Sequence, residues 1–266
     1  MSQILCSTGA LIGRYNNRNY RLLEELKNEL SCDGFEFMIY PAWYEELDKL
    51  VPFLQDAKLN IPVMHCEKGI GELISNEDKE EAFSHFEINC QVAKSIGAEK
   101  LVFHLWNGIT SDKFIDRNIA ACEKLMAIAE KYGRKLLIEN VVCNRKDPLT
   151  HWLKLAETYP DLGFIFDTKM ADFHRQLDDF YEHKELHNKV HHYHVNDFAG
   201  EYKDWQNLWV LPIGKGHIDW DKFFDHIKER GYDGTFTTES TALEQSGVIN
   251  TKMLNEQFEF IRNKLK

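Results

Sequence analysis

Carboxylates and imidazoles recur at the ends of short apolar runs in this sequence. "VHHYHVND" (190–197) places three histidines, an asparagine and an aspartate in one short stretch. Elsewhere "LLIEN" carries Glu139, "FIFDT" Asp167, "FTTES" Glu239, "PVMHC" His65 and "VFHL" His104 near the last position of a run. Imidazole nitrogen and carboxylate oxygen together suit Mn²⁺, Zn²⁺, Co²⁺ or Fe²⁺ better than a calcium cage. Three carboxylates brought within a few ångströms repel one another, and protonation or a divalent ion must relieve them. That chemistry requires the fold to bring all these run ends to one place.

The elements that would do so are legible. β-type runs at 3–8, 34–39, 61–66, 100–105, 135–140, 163–168, 190–196 and 235–240 alternate with amphipathic helical stretches. Ile119, Cys122, Leu125, Met126 and Ala129 recur at helical spacing, with Gly133 where a C-terminal cap belongs. Ser75 and Asp78 have the spacing of a capping box ahead of Phe83, Phe86, Cys90 and Ala93, and Met253, Leu254, Phe258, Ile261 and Leu265 share a face in the tail. Strands alternating with helices imply parallel pairing through right-handed crossovers. About eight such units predict an α/β fold, a (β/α)₈ TIM barrel as a single domain over 1–266. In such a barrel residues alternate between the interior and the helix layer, and chemistry sits where strands end. His194 then lies near the strand end, His192 a layer deeper, and His191 toward the helices. Val63, Val102, Leu137 and Ile165 fill the interior below, and Thr237 does so less cleanly. The connection 198–216 is long enough to form a lid or wall.

A net charge of −11 disfavours nucleic acid as a partner. No segment has the apolar length of a membrane span, and the first residues do not resemble a signal peptide. Six cysteines without CxxC spacing suit reduced thiols and a cytoplasmic setting. Among the twelve histidines, His192 is expected as a satisfied interior residue, and His151, His183, His187 and His226 on the surface. Cys66 should point away from the interior, which argues against a nucleophile there.

The ordered set "IEN", "FDT", "HVND", "LPIGKGHIDW" and "TTES" resembles the xylose isomerase-like barrel superfamily over nearly the whole chain. Within it the pattern is similar to the sugar phosphate isomerase/epimerase group of the tagatose 3-epimerase type, and more distantly to the endonuclease IV type. The resemblance implies that Glu139, Asp167, His194 and Glu239 bind a shared divalent ion (Mn²⁺, Zn²⁺, Co²⁺ or Mg²⁺). It implies that Glu139 and Glu239 are the catalytic pair, removing and returning a proton on opposite faces of a sugar. His65 and His104 match positions that hold a second metal in the endonuclease branch, or would contact substrate. Two departures stand out. Met170 occupies the place of a family histidine in "DTKM", with His174 one turn further on. Leu208, Trp209 and Val210 stand where the endonuclease branch has further metal ligands, so a third metal lacks its ligands.

The implied activity is a divalent-metal-dependent sugar isomerase or epimerase acting on a keto-sugar or its phosphate by proton transfer through an enediolate. An inosose-type dehydratase on the same site is the neighbouring alternative. An endonuclease IV-like phosphodiesterase is disfavoured by charge and missing ligands, and a catalytically silent sugar sensor is the third class. Trp106, Trp205 and Trp209 are candidates to cover a sugar face, with core packing the competing role. Lys215, in "GKG", and Lys169 are candidates to meet a phosphate. The expected partner is a small sugar or sugar phosphate, with no nucleic acid and no membrane; a homodimer is the assembly common among such relatives.

Overall fold

The computed structural model describes residues 2–266. Eight parallel strands close into a barrel in sequence order: β1 (Gln3–Ser7), β2 (Gly34–Met38), β3 (Val63–His65), β4 (Lys100–Phe103), β5 (Lys135–Glu139), β6 (Gly163–Asp167), β7 (Val190–His194) and β8 (Thr235–Thr238). Pairing of β1 with β8, from Gln3 opposite Thr235 to Cys6 opposite Thr238, seals it. The helices are α1 (Leu23–Glu29), α2 (Leu47–Asp56), α3 (Ile70–Ser75), α4 (Lys79–Ile96), α5 (Ile115–Lys131), α6 (Pro148–Thr158), α7 (Thr168–Phe173), α8 (Leu177–Glu182), α9 (Lys184–His187), α10 (Trp220–Glu229) and α11 (Thr251–Leu265). This is the (β/α)₈ fold the alternation predicts.

Helix ends follow local chemistry. Asp147, Asp219 and Asn250 each accept a backbone N–H from the first turn of α6, α10 and α11, and Pro148 opens α6. Gly133 stands at φ +65° beyond α5, the left-handed position that terminates a helix at no steric cost. The expected capping box does not form. Asp78 precedes α4 without a side-chain cap, and Ser75 Oγ turns back to Gly71 O and Asn118 Oδ1, both at 3.0 Å.

The barrel interior is divided. Leu5, Val63, Val102, Leu137 and Ile165 form an apolar cluster separate from the large core between strands and helices. On β2, β7 and β8 the buried residues Glu36, His192, His194, Thr235 and Thr237 give the rest of the interior a polar character. An aliphatic layer stabilises by removal from water, about 25 cal/mol per Å², whereas the polar half is tolerable only if its groups satisfy one another.

Candidate metal centre

The strand ends bring the four candidate ligands together. Atoms of Glu139, Asp167, His194 and Glu239 lie within 4.8 Å of one another. His194 Nδ1 is 3.2 Å from Glu139 Oε1, 3.3 Å from Glu239 Oε2 and 3.8 Å from Asp167 Oδ2. These residues occupy the consecutive strand ends β5 to β8, so Glu139 and Glu239 stand at opposite ends of the arc, with Asp167 and His194 between them. Glu139, Asp167 and His194 are buried and Glu239 is slightly open to the barrel mouth.

Small polar residues stitch the strand ends together, and they explain why the runs read longer in sequence than the ladders are. Asn140 Oδ1 accepts from Asp167 N at 2.7 Å, and Asn140 Nδ2 donates to Asp167 O at 3.0 Å. Thr168 Oγ1 donates to Asn196 O at 2.7 Å and accepts from Asn196 N at 3.0 Å. Asn196 Nδ2 donates to both Asp167 Oδ2 and Glu239 Oε2 at 2.9 Å, while its Oδ1 accepts from Glu239 N at 3.0 Å. Each stitch ties one ligand-bearing strand to its neighbour.

Charge in this cluster is uneven. Burial pushes the Asp167 carboxyl up to about 6; Lys169 opposes this, and Glu139 and Glu239 add to it. Burial also acts to raise Glu239, but facing His194 overrides it and holds the group down at about 2. For Glu139 burial is likewise outweighed, by His104 and His194, and its pKa falls well below the usual range. Burial disfavours a charged His194, yet Glu239, Glu36 and Glu139 around it raise its pKa well above that of free imidazole. A proton on His194 therefore balances the carboxylates when nothing else does, and a divalent cation is the other species able to do so.

His65 and His104 close the arc on β3 and the end of β4. His65 Nδ1 faces Cys66 O at 2.8 Å and His104 Nδ1 faces Asn107 Oδ1 at 3.4 Å. Both Nδ1 atoms face oxygen, and each ring turns its Nε2 toward Glu139. Those Nε2 atoms approach Glu139 Oε2 to 3.6 and 2.6 Å, and all three atoms are buried without a hydrogen bond of acceptable angle. Three buried polar atoms that converge in this way need a shared proton, a cation or a substrate hydroxyl between them.

Other expectations meet a different structure. Trp106 is fully buried; its indole N–H donates to Val141 O at 2.9 Å and its ring packs edge-on to His151, leaving no face for a sugar. His151 is buried, not on the surface, because its Nε2 reaches Asp112 Oδ2 at 3.0 Å. Asp112 also accepts the backbone N–H groups of Asn144 (2.9 Å), Arg145 (2.7 Å) and Lys146 (2.7 Å), and so clasps the loop that follows Glu139. Cys143 lies in the same group, but its Sγ turns to Val141 O and the Asp112 carboxylate is already occupied by three backbone N–H groups and His151. His174 does not replace the histidine missing at Met170: its Nε2 accepts from Cys143 N at 3.0 Å, away from Asp167. Lys215 is exposed on a turn closed by its N–H to Pro212 O, and among the described residues its side chain has no hydrogen bond or ion pair. Trp205 and Trp209 are exposed on the long β7–α10 connection.

That connection is a wall fixed by Asp197. Its carboxylate accepts from Phe198 N (2.9 Å), Gly214 N (2.7 Å), Ile218 N (3.3 Å) and Trp220 Nε1 (3.1 Å). Gly216 passes so close that a Cβ there would lie 2.2 Å from Phe198 O and 2.3 Å from Asp197 Oδ1. Of the ligand types in 190–197, His194 alone joins the four-ligand cluster; Asp197 is committed to the loop.

Residues that the sequence reading missed are Glu36, Asn140, Thr168, Asn196 and Lys68. Lys68 is exposed, and its charge helps hold Glu239 down. Its backbone carbonyl is fixed by Asn107 Nδ2 at 2.8 Å. Glu36 is fully buried, with Oε2 2.8 Å from His192 Nε2 and 2.9 Å from His194 Nε2. A glutamate between two phenylalanines of an alternating run reads as solvent-facing, and only barrel closure marks it as buried.

A parallel barrel with ligand-type side chains gathered on its carboxyl-terminal rim defines a (β/α)₈ protein built around a rim site. A family model described as Xylose isomerase-like TIM barrel matches residues 25–264, and the chain belongs to that family. An uncharacterised protein of Methanocaldococcus jannaschii is 28% identical over 188 residues; the match spans 65% of this chain and 61% of that protein's length. The crystal structure of the IolI protein with a bound zinc atom aligns over 99% of this chain and 98% of that one, with 16% identity and a TM-score of 0.75. A Methylomonas D-allulose 3-epimerase in complex with D-allulose aligns over 98% and 96%, with 15% identity and a TM-score of 0.74. At these identities the structural likeness speaks to the fold.

Proposed function

We propose that this chain is a divalent-metal-dependent isomerase or epimerase acting on a keto-sugar or its phosphate. The observation that carries the reading is the placement of two glutamates, on β5 and β8, at opposite ends of a four-ligand arc, each oxygen within 3.3 Å of the same imidazole nitrogen. Glu139, Asp167, His194 and Glu239 would hold Mn²⁺, Zn²⁺, Co²⁺ or Mg²⁺, whose positive charge acidifies a C–H beside a carbonyl. One glutamate removes that proton from one face of the substrate, and the other returns a proton from the opposite face, inverting the carbon. Return by the same glutamate to the adjacent carbon gives aldose–ketose isomerisation instead. Asn196 ties Asp167 to Glu239 and so holds that end of the arc together. His65 and His104 turn their Nε2 atoms toward Glu139, where they would meet substrate hydroxyls or a second ion. Lys68, at the mouth, is placed for an oxyanion or phosphate; Lys215 would have to come in from its exposed turn.

The D-allulose 3-epimerase and the zinc-bearing IolI protein among the structural neighbours support the substrate class and the ion. The test incubates metal-loaded protein with a panel of ketoses, inososes and their phosphates, alongside Glu139→Gln and Glu239→Gln. Turnover of one ketose, lost by orders of magnitude in either variant, is expected. Full activity in either variant, or after exhaustive chelation, refutes the assignment.

A further inference from the structure

The proposed chemistry leaves Glu36 without a role, although it lies buried directly beneath the ligand cluster. A line of hydrogen bonds passes through it from one face of the barrel to the other. At the amino-terminal face Lys100 Nζ donates to His191 O and to Thr235 Oγ1, both at 3.0 Å. Thr235 Oγ1 lies 2.6 Å from His192 Nδ1. His192 Nε2 lies 2.8 Å from Glu36 Oε2, and His194 Nε2 lies 2.9 and 3.0 Å from the two Glu36 oxygens. The line ends at His194 Nδ1, which faces Glu139, Glu239 and Asp167.

The two fixed groups on this line give it a direction. An ammonium only donates and a carboxylate only accepts. Glu36 can only accept, so His192 carries its hydrogen on Nε2, the nitrogen that faces Glu36. The lone pair of a neutral His192 then lies on Nδ1 and takes the Thr235 hydroxyl hydrogen, while the Thr235 oxygen accepts from Lys100. Thr237 Oγ1, 3.1 Å from His192 Nε2, fits as a second acceptor. Glu36 also takes a hydrogen from His194 Nε2, and a neutral His194 is left with its lone pair on Nδ1, aimed into the carboxylate cluster. The opposite tautomer would point an N–H at the place where an ion belongs.

We infer that Glu36 is the positioning residue of the metal centre: it fixes the ring orientation and tautomer of His194, and is itself held by the His192–Thr235–Lys100 line. The inference rests on the metal reading above for its consequence, though not for its geometry. Outer carboxylates that accept the second N–H of a ligating imidazole typically contribute about 10–100-fold in metal affinity.

The experiment uses the full chain, Glu36→Gln and Thr235→Val. Two quantities are read: the Zn²⁺ dissociation constant by chelator competition, and the ring ¹⁵N signals of His192 and His194. In the metal-free wild type His192 should show a protonated Nε2 and an unprotonated Nδ1, and Zn²⁺ should bind at His194 Nδ1. The glutamine amide must present an N–H₂ group to one of the two rings. Glu36→Gln is therefore expected to disturb the His192 pattern and weaken Zn²⁺ by about 10–100-fold. Thr235→Val should disturb the His192 pattern with a smaller loss. Folded Glu36→Gln that binds Zn²⁺ within about twofold of wild type, with both ring patterns unchanged, overturns the inference. Should Glu36→Gln fail to fold, unchanged His192 signals and unchanged affinity in Thr235→Val overturn it instead. A wild type that binds no divalent ion sinks the proposed function, and the metal-free His192 signals then decide the role of Glu36 independently.

Discussion

Metal uptake at this site should be a competition with protons, with a slope set by the groups that must ionise. Without an ion, His194 carries a proton that Glu239, Glu36 and Glu139 hold against the cost of burial. Asp167 is pushed up to about 6, first by burial and then by its carboxylate neighbours. An ion at His194 Nδ1 must displace the first proton throughout the neutral range, and below pH 6 it must displace the one on Asp167 as well. Each displaced proton costs about tenfold in apparent affinity per pH unit, or about 1.4 kcal/mol. Affinity should therefore rise about tenfold from pH 6 to 7 and about a hundredfold from pH 5 to 6, roughly a thousandfold in all. Chelator-competition titrations, corrected for the chelator's own protonation, would give the slope. Calorimetry at pH 7 in two buffers of different ionisation heat would give the proton count, expected near one. Affinity that is flat between pH 6 and 8, or uptake without proton release, would refute this account of the site's charge.

Further outcomes follow from other features. A substrate hydrogen passing through Glu139 or Glu239 at the barrel mouth exchanges with solvent, so product formed in D₂O should carry deuterium at the reacting carbon; mass spectrometry showing none would exclude the two-glutamate transfer. Gly216→Ala should cost about 1–3 kcal/mol, read as a lowered melting temperature, because its Cβ would press on Phe198 O and the Asp197 carboxylate; an unchanged melting temperature would contradict the fixed wall. With a net charge of −11 and no ligand types at Leu208, Trp209 and Val210, abasic duplex DNA should not be cleaved at moderate salt. Incision that disappears in Glu139→Gln would reverse the order of the two enzyme classes.

The fold and much of the rim were legible because period-2 alternation marks strands, and a charged residue closing an apolar run is conspicuous. Glu139, Asp167, His194 and Glu239 come together where the strand count places them. What escaped was everything set by partners distant in sequence. Glu36 meets His192 and His194 more than 150 residues away, and nothing in "GFEFM" announces that both faces of the strand are buried. His151 sits in α6 at a position that reads as surface, and its burial depends on Asp112 in another loop. Trp106 offered an aromatic face by type, yet its indole N–H found an acceptor inside the core. Residue type suggested these roles; only the closed barrel could assign them.

The ligand arc also bears on the order of events as the chain folds. Its four members enter at residues 139, 167, 194 and 239, and the barrel is sealed only when β8 pairs with β1. A chain still lacking β8 therefore offers three of the four candidate ligands in an open sheet whose edge is unpaired. The complete set exists only when β8 is in place, so an ion that needs all four cannot be a template for a barrel lacking it. An ion held by interactions absent from the folding transition state slows unfolding while leaving folding nearly unchanged. Its contribution would then be read in the lifetime of the closed barrel, as a clasp applied after the hoop has met.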